Sequence, residues 1–391
     1  MQQLKIKNDN RAVQRFRVAV PDSEMTDLRH RLLRPRFVPG SAQGLDWAAG
    51  MPVGYLSELV EYWGCGFDWR EREAWLNSFP QFTAQVAGRW VHFVHVRSMN
   101  PAATPIIISH GWPYSFSDML SLVPLLPDFD LVIPSLPGFG FSERPLRRFT
   151  DETVAATLHT LMTVTLGYAR YGTYGEDIGA AISHRLAGDY PEEVIGIFAT
   201  HPAMPSEKDF TEPTPAEIAY VSWLENAWEG ETGYQDIQAT RPDTLAAALN
   251  DSPAGLAAWI VEKFRAWSDR GSGETSQTLT EKFSLDDLLT TVSLYWFTQS
   301  IGSSFLSYFD FRHRTEAPVI RVPAGVAIGQ GDLGYPRSLA ERCYSDLRSF
   351  EVLPRGGHFM AKEEPAATAK GINDFFSRLN LPSKNDRTAA A

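Results

Sequence analysis

The sequence predicts an α/β fold with a mainly parallel sheet, because short apolar strands alternate with helix-like segments over much of the chain. Two further features refine this prediction. An acidic residue flanked by glycines lies where a strand should turn sharply into a helix, at residues 175–179, and a long helix-rich stretch interrupts the alternation at residues 204–314. We therefore expect a sheet domain with an inserted helical cap and a helical N-terminal extension.

The extension is predicted over residues 1–95, where it would wrap the core. A Pro-Asp-Ser segment is typical of a helix start, with Asp22 or Ser23 as the capping residue. Two further helices are predicted, over residues 55–63 and after Asp68.

The core is predicted in two parts, residues 96–203 and 315–382, on either side of the cap. Its strands are short apolar runs of the kind found in buried parallel sheets, and residues 90–96 alternate like a half-buried strand. The apolar runs are residues 105–109, 131–133, 194–198 and 325–328. The small, polar tail at residues 383–391 is predicted to be disordered.

The composition is typical of a soluble globular enzyme, with 43% hydrophobic and 21% charged residues among 391. A net charge of −11 without any basic run argues against a nucleic-acid partner. The start of the chain lacks the apolar core of a signal peptide, and no apolar run approaches the roughly 20 residues of a membrane span. Cys65 and Cys343 have no metal-type or redox-type spacing. We expect a cytoplasmic protein without a membrane partner, and a homodimer is compatible with this composition.

The segment Gly-Glu-Asp-Ile-Gly at residues 175–179 is typical of a nucleophile elbow. Its glycines would let backbones approach closely around a strained central residue. That residue is Asp177, whose carboxylate needs no base to attack an sp³ carbon and form an ester. A lone motif of this kind is more often a simple turn, but the chain has no Gly-x-Ser-x-Gly or Gly-x-Cys-x-Gly segment that competes with it. The motif favours opening of epoxides or displacement of halides.

In α/β-hydrolases the nucleophile is followed along the chain by an acid and then by a histidine. His358 comes after two glycines and a strand-like segment, as expected for the base. Asp332 lies just beyond a predicted strand and is the candidate acid. Either residue alone would more often belong to a surface turn, but the order and the strand placement favour catalytic roles.

The oxyanion hole is predicted from the His-Gly-Trp-Pro segment at residues 110–113, which follows a predicted strand. The backbone N–H groups of Trp112 and Ile178 would bind the oxyanion that develops on the Asp177 carboxyl group. His110 would orient this loop.

With these motifs the chain resembles the microsomal type of α/β-hydrolase-fold epoxide hydrolases over nearly its whole length. The blocks that carry the resemblance are PDSEMTDLRHRL, YWGCGFDWREREAWLNSFPQF, WVHFVHVRS, HGWP, PSLPGFGFS, GEDIG, RPDTLAAALNDSPAGLAAWIVEKF, KFSLDDLLTTVSLYW and GGHFMAKEEP. The resemblance implies Asp177, Asp332 and His358 as nucleophile, acid and base. It implies a small epoxide and water as reactants, and no metal or organic cofactor.

The resemblance also implies two cap tyrosines that activate the epoxide oxygen, and the matching positions are Tyr234 and Tyr308. A phenol with a pKa of about 10 can donate a hydrogen bond and a proton to the developing alkoxide at neutral pH. Tyr295 is close to Tyr308 in the sequence and is an alternative for the second tyrosine.

The chain departs from the family pattern in three places. Glu176, before the nucleophile, and Tyr114, after the His-Gly-Trp-Pro segment, both stand where glycine is common, and the membrane-anchoring segment of mammalian members is missing. Glu176, Tyr114 and His110 are therefore candidates for residues of the substrate pocket.

We predict an epoxide hydrolase that forms a vicinal diol through an aspartyl ester, in detoxification or in secondary metabolism. A haloalkane dehalogenase shares the aspartate elbow, but its halide donor is usually a Trp directly after the nucleophile, where this chain has Ile178. A non-catalytic binding protein of the same fold is the remaining alternative, and the complete set of Asp177, Asp332 and His358 argues against it.

Overall fold

The computed structural model describes residues 13–40, 47–206, 208–271, 278–332 and 334–379, apart from the side chain of Asp332. The tail predicted at residues 383–391 lies outside the described residues, and so does the start of the predicted extension.

Nine strands of the described chain form one sheet. In chain order they are β1 (Gln14–Phe16), β2 (Gln81–Val86), β3 (Arg89–Val96), β4 (Pro105–Ser109), β5 (Asp130–Pro134), β6 (Tyr171–Gly175), β7 (Val194–Ala199), β8 (Ala324–Ile328) and β9 (Leu347–Val352). They lie in the order β1-β2-β3-β5-β4-β6-β7-β8-β9. The first three strands pair antiparallel and β3 joins β5 antiparallel, whereas all later pairings are parallel. The predicted mainly parallel sheet is confirmed.

The N-terminal region contributes strands as well as helices, so the sheet begins before residue 96. Alternation predicted that β3 is half-buried, but four consecutive residues, 91–94, are buried in it. The polar member of this run is His92, whose ring nitrogens contact Ser135 Oγ at 2.8 Å and Gln81 Oε1 at 3.0 Å. These hydrogen bonds let a polar side chain stay inside the core.

Three helices of the N-terminal region lie between β1 and β2: α1 (Asp22–Leu32), α2 (Val53–Cys65) and α3 (Trp69–Leu76). The predicted cap of α1 is wrong, because the helix begins at Asp22 itself and no side chain caps it. The Asp22 carboxylate instead pairs with Arg70. Asp68 does cap α3, accepting from the backbone N–H of Arg70 at 2.8 Å.

Fourteen further helices follow in the described residues. Those of the core are α4 (Phe116–Met119), α5 (Asp151–Thr160), α6 (Ile178–Asp189), α15 (Arg337–Cys343), α16 (Met360–Glu363) and α17 (Pro365–Leu379), and those between are α7 (Pro215–Ala227), α8 (Gly233–Thr240), α9 (Pro242–Leu249), α10 (Pro253–Trp267), α11 (Leu279–Lys282), α12 (Leu285–Thr298), α13 (Ile301–Ser304) and α14 (Leu306–Phe309). We call the segment from α7 to α14 the cap. None of these described helices has the length and apolarity that a membrane crossing requires.

The N-terminal helices contact the cap directly. Helix α2 packs against α10, and Trp63 Nε1 donates to Ser293 Oγ at 3.0 Å. The Tyr62 hydroxyl donates to the Asp286 carboxylate at 2.9 Å. These contacts fix α10 and α12, and thereby position the side chains that the cap presents to the sheet.

Candidate active site

The turn from β6 into α6 holds Asp177 in a strained conformation, with φ of 55° and ψ of −122°. L-residues rarely adopt this region, and such strain concentrates at functional sites. A Cβ on Gly175 would overlap the carbonyl of Gly179, and a Cβ on Gly179 would overlap that of Ser109. The two flanking glycines are therefore a steric requirement of the turn.

The Asp177 carboxylate lies against the loop that follows β4. Trp112 N–H donates to Asp177 Oδ1 at 2.9 Å, and a side chain on Gly111 would overlap the carboxylate. Burial by itself would raise the pKa of Asp177, but the His358 ring and the N–H groups of Trp112 and Ile178 outweigh it and lower the pKa. The carboxylate is thus kept ionised, as a nucleophile requires.

His358 Nε2 lies 3.4 Å from Asp177 Oδ2. The loop that carries it, residues 356–359, is called the base loop below. All four backbone N–H groups of the base loop donate to a neighbouring acceptor: Asp269 Oδ2 at 2.9 Å, Glu363 Oε2 at 3.2 Å, Trp267 O at 2.9 Å and Glu363 Oε1 at 2.9 Å. The cap segment 267–269 and Glu363 therefore fix the position of the histidine.

Asp332 ends a short 3₁₀ turn, Gln330–Asp332, that follows β8. The turn is tied to the base loop, because Gly331 N–H donates to the Gly356 carbonyl at 3.1 Å. The Asp332 side chain lies outside the described residues, so its role as the acid stays a prediction from the sequence.

The cap brings Tyr234 and Tyr308 together above Trp112. The Tyr234 ring stacks on Trp112 with a centroid distance of 5.3 Å, and the Tyr308 ring meets Trp112 edge-on at 5.8 Å. The two tyrosine rings are 5.7 Å apart. Burial, followed by the charge of Asp177, raises the pKa of both phenols. Both therefore keep their protons at neutral pH and can donate.

Tyr295, the alternative to Tyr308, is used differently. Its hydroxyl donates to the backbone carbonyl of Tyr114 at 3.3 Å. The tyrosine whose ring packs edge-on against Tyr234 is Tyr308.

His110 is buried and orients the loop after β4. Its Nε2 accepts from Leu136 N–H at 3.1 Å, so Nδ1 carries the proton and donates to the Gly111 carbonyl at 3.0 Å. Burial lowers the pKa of His110 to about 4, which keeps the ring neutral.

Tyr114 and Glu176, the two departures from the family pattern, are both completely buried. The Tyr114 ring meets the His358 ring edge-on at 6.2 Å. Glu176 Oε1 accepts from Ala361 N–H at 2.6 Å and from the Tyr174 hydroxyl. Both side chains thus lie beneath the base loop and its continuation into α16.

Glu176 is expected to make the stability of the protein depend on pH. Burial raises its pKa from 4.5 to about 7, so the native state favours the protonated form. Stability is fully retained below about pH 4.5 and is lost as pH rises towards 7, by about 3 kcal/mol in total. Glu176→Gln should therefore gain stability over the wild type between pH 4.5 and 7. Denaturant unfolding across this range, with the exposed Glu225→Gln as control, measures the difference, and a difference that does not vary with pH would contradict the expectation.

His201 is a residue of the site that the sequence analysis missed. Its Nδ1 accepts from Asp177 N–H at 2.7 Å, and its Nε2 donates to the His358 carbonyl at 2.9 Å. Burial, with the nearby His358 next, lowers the pKa of His201 to about 3, so the ring stays neutral and bridges Asp177 and His358. The available signal in the sequence was the position of His201 two residues after β7, at the same sheet edge as Asp177.

A cavity of about 360 Å³ lies beside the base, between the cap and the base loop. Its lining includes His358 and three aromatic residues, Trp223, Trp228 and Trp267. A larger cavity of about 510 Å³, lined by His184, Arg185 and Arg342 among others, touches none of the catalytic candidates. The smaller cavity reaches His358, whose Nε2 lies 3.4 Å from Asp177 Oδ2.

Two family models match this chain. The model described as "Epoxide hydrolase N terminus" matches residues 13–119, and the model described as "alpha/beta hydrolase fold" matches residues 104–365. Epoxide hydrolase 1 of Oryctolagus cuniculus is 32% identical over 411 residues, which cover 94% of this chain and 89% of the relative. The chain belongs to the α/β-hydrolase-fold epoxide hydrolases. The predicted fold and enzyme class are thereby confirmed.

Solved structures of epoxide hydrolases agree with this membership. The juvenile hormone epoxide hydrolase of the silkworm Bombyx mori has a TM-score of 0.85 at 27% identity and covers 94% of this chain and 95% of its own. The Aspergillus niger epoxide hydrolase has a TM-score of 0.81 at 28% identity, with coverage of 95% and 97%. The overall fold of this chain is therefore similar to that of both epoxide hydrolases over most of its length.

Proposed function

We propose that this epoxide hydrolase converts a small epoxide to a vicinal diol through an ester on Asp177. The observation that carries the proposal is the pair of contacts on the Asp177 carboxylate. Trp112 N–H is 2.9 Å from Oδ1, and His358 Nε2 is 3.4 Å from Oδ2. One oxygen thus lies in the oxyanion hole, while the other faces the base.

In the first half-reaction, Asp177 Oδ2 attacks one epoxide carbon and the carbon–oxygen bond of the ring breaks. Tyr234 or Tyr308 gives its proton to the oxygen that leaves, and the other tyrosine donates a hydrogen bond. The placement of both rings against Trp112, beside Asp177, supports this division of roles. Asp177 Oδ1 becomes the carbonyl oxygen of the ester.

In the second half-reaction, His358 removes a proton from water, and the hydroxide attacks the ester carbon of Asp177. The oxyanion forms on Oδ1, where the Trp112 and Ile178 N–H groups stabilise it. The bond between the ester carbon and Oδ2 then breaks, and the diol leaves with Oδ2 after accepting the proton from His358. The regenerated carboxyl group of Asp177 then loses its proton, and this proton returns to the tyrosine that was ionised in the first half-reaction.

An isotope experiment tests the nucleophile. In a single turnover in ¹⁸O water, the label is expected in Asp177 and not in the diol, because the diol carries away Oδ2 and water replaces it. Mass spectrometry of the diol and of the active-site peptide measures both. Label in the diol on the first turnover would mean that water attacks the epoxide directly.

The cytoplasmic location and the homodimer remain predictions from composition.

A further inference from the structure

A buried ammonium group lies against one of the two proposed acids. Lys263 is on α10, and its side chain is only 10% exposed. Its Nζ lies 5.1 Å from the centroid of the Tyr234 ring and 5.7 Å from that of Trp267. No comparable cation–π contact involves Tyr308 among the described residues.

Two carboxylates hold this ammonium group in place. Lys263 Nζ is 2.8 Å from Glu262 Oε2 and 3.0 Å from Glu231 Oε2. Glu231 comes shortly before α8, which carries Tyr234. The Lys263–Glu231 ion pair thus connects α10 to the segment just before α8, which carries the phenol.

The ammonium group of Lys263 lowers the free energy of the ionised form of the Tyr234 phenol. When Tyr234 gives up its proton, negative charge spreads over the ring, and a cation at 5.1 Å favours that charged form. The charge of Glu231 acts in the opposite direction, because it opposes ionisation of Tyr234. Lys263 and Glu231 are therefore partners in one ion pair with opposite effects on the same phenol.

We propose that Lys263 is a positioning residue that strengthens Tyr234 as the acid for epoxide opening. The inference rests on the proposed role of Tyr234 in the first half-reaction. It assigns the proton transfer to Tyr234 and leaves Tyr308 as the hydrogen-bond donor. Lys263 itself does not touch the substrate.

The test compares Lys263→Met with Glu231→Gln in the full-length protein. Single-turnover quench-flow with styrene oxide gives the rate of ester formation and the rate of ester hydrolysis separately. Lys263→Met is expected to slow ester formation roughly tenfold and to leave hydrolysis unchanged. Glu231→Gln removes one of the two ion pairs of Lys263, but it should keep the rate of ester formation or raise it. Lys263→Arg should restore most of the rate.

A purely structural role gives a different pattern. In that case Lys263→Met and Glu231→Gln would slow ester formation alike, or the loss would fall on both half-reactions, and either result would overturn the inference. If Lys263→Met does not fold, Lys263→Gln removes the positive charge while keeping a hydrogen-bond donor for Glu231 and Glu262. That variant should still form the ester slowly, and a wild-type rate would equally overturn the inference.

The Tyr234→Phe background separates this inference from the proposed function. If Tyr234 is the acid, Tyr234→Phe is slow, and adding Lys263→Met should slow it little further. If Tyr234→Phe forms the ester at the wild-type rate, the proposed role of Tyr234 fails. If Tyr234→Phe is slow and Lys263→Met is not, only the role of Lys263 fails.

Discussion

His358→Gln is expected to stop after one turnover, with the substrate bound to Asp177 as an ester. The carboxylate needs no base to attack the epoxide, whereas water needs one to attack the ester. Ester hydrolysis should therefore slow by roughly 10²–10⁴-fold while ester formation continues. Intact-protein mass spectrometry should show an increase equal to the mass of the substrate.

The matched control is the double variant His358→Gln with Asp177→Ala, which should show no adduct. A His358→Gln protein that neither gains mass nor consumes one equivalent of epoxide would show that His358 acts elsewhere. Asp332→Asn should slow the same step more mildly, since the predicted acid orients the histidine and stabilises its charged form.

Replacing both cap tyrosines is expected to slow ester formation and to spare ester hydrolysis, the opposite of the effect of His358→Gln. Tyr234→Phe or Tyr308→Phe should slow ester formation by roughly 10²–10⁴-fold, less where the remaining tyrosine compensates, and the double variant should be almost inactive on epoxides. Ester hydrolysis should hardly change, because the phenols act on the epoxide oxygen and not on water. Single-turnover quench-flow with styrene oxide separates the two rates.

Tyr295→Phe is the control for the tyrosine variants, because the Tyr295 hydroxyl donates to the Tyr114 carbonyl. It should have a small effect on both rates. Circular dichroism should show that the double variant Tyr234→Phe with Tyr308→Phe is folded. If that folded variant formed the ester at the wild-type rate, Tyr234 and Tyr308 would have only a packing role. Turnover of 1-haloalkanes would then be the next measurement.

The sequence was most informative where a short stretch of residues determines the local structure. Strand β4 was predicted with its observed limits, because an apolar run between Pro105 and Ser109 has few alternatives in a parallel sheet. The elbow was recognisable because Asp177 and its two flanking glycines fall within five residues, 175–179, directly after a strand-like run. Both features depend on residues that are close together in the sequence.

The sequence was least informative where a residue acts through distant partners. His201 bridges Asp177 and His358, and Lys263 reaches Tyr234 from another helix. Neither contact is marked in the sequence by a residue spacing or a motif. The capping error at Asp22 has the same origin, because its carboxylate is used by Arg70, far along the chain.

The hydrogen bonds of the base loop have a consequence for how small molecules enter and leave. Gly356 and His358 donate to Asp269 and Trp267, which belong to the cap side of the molecule. A cap that swung open as a rigid lid would break these bonds and pull the base away from Asp177. Passage of epoxide and diol without displacing the base is therefore expected through the cavity beside His358, which Trp223 and Trp228 help to line. The bulk of these two indole side chains would then limit the size of substrate that reaches the base, away from the reacting atoms.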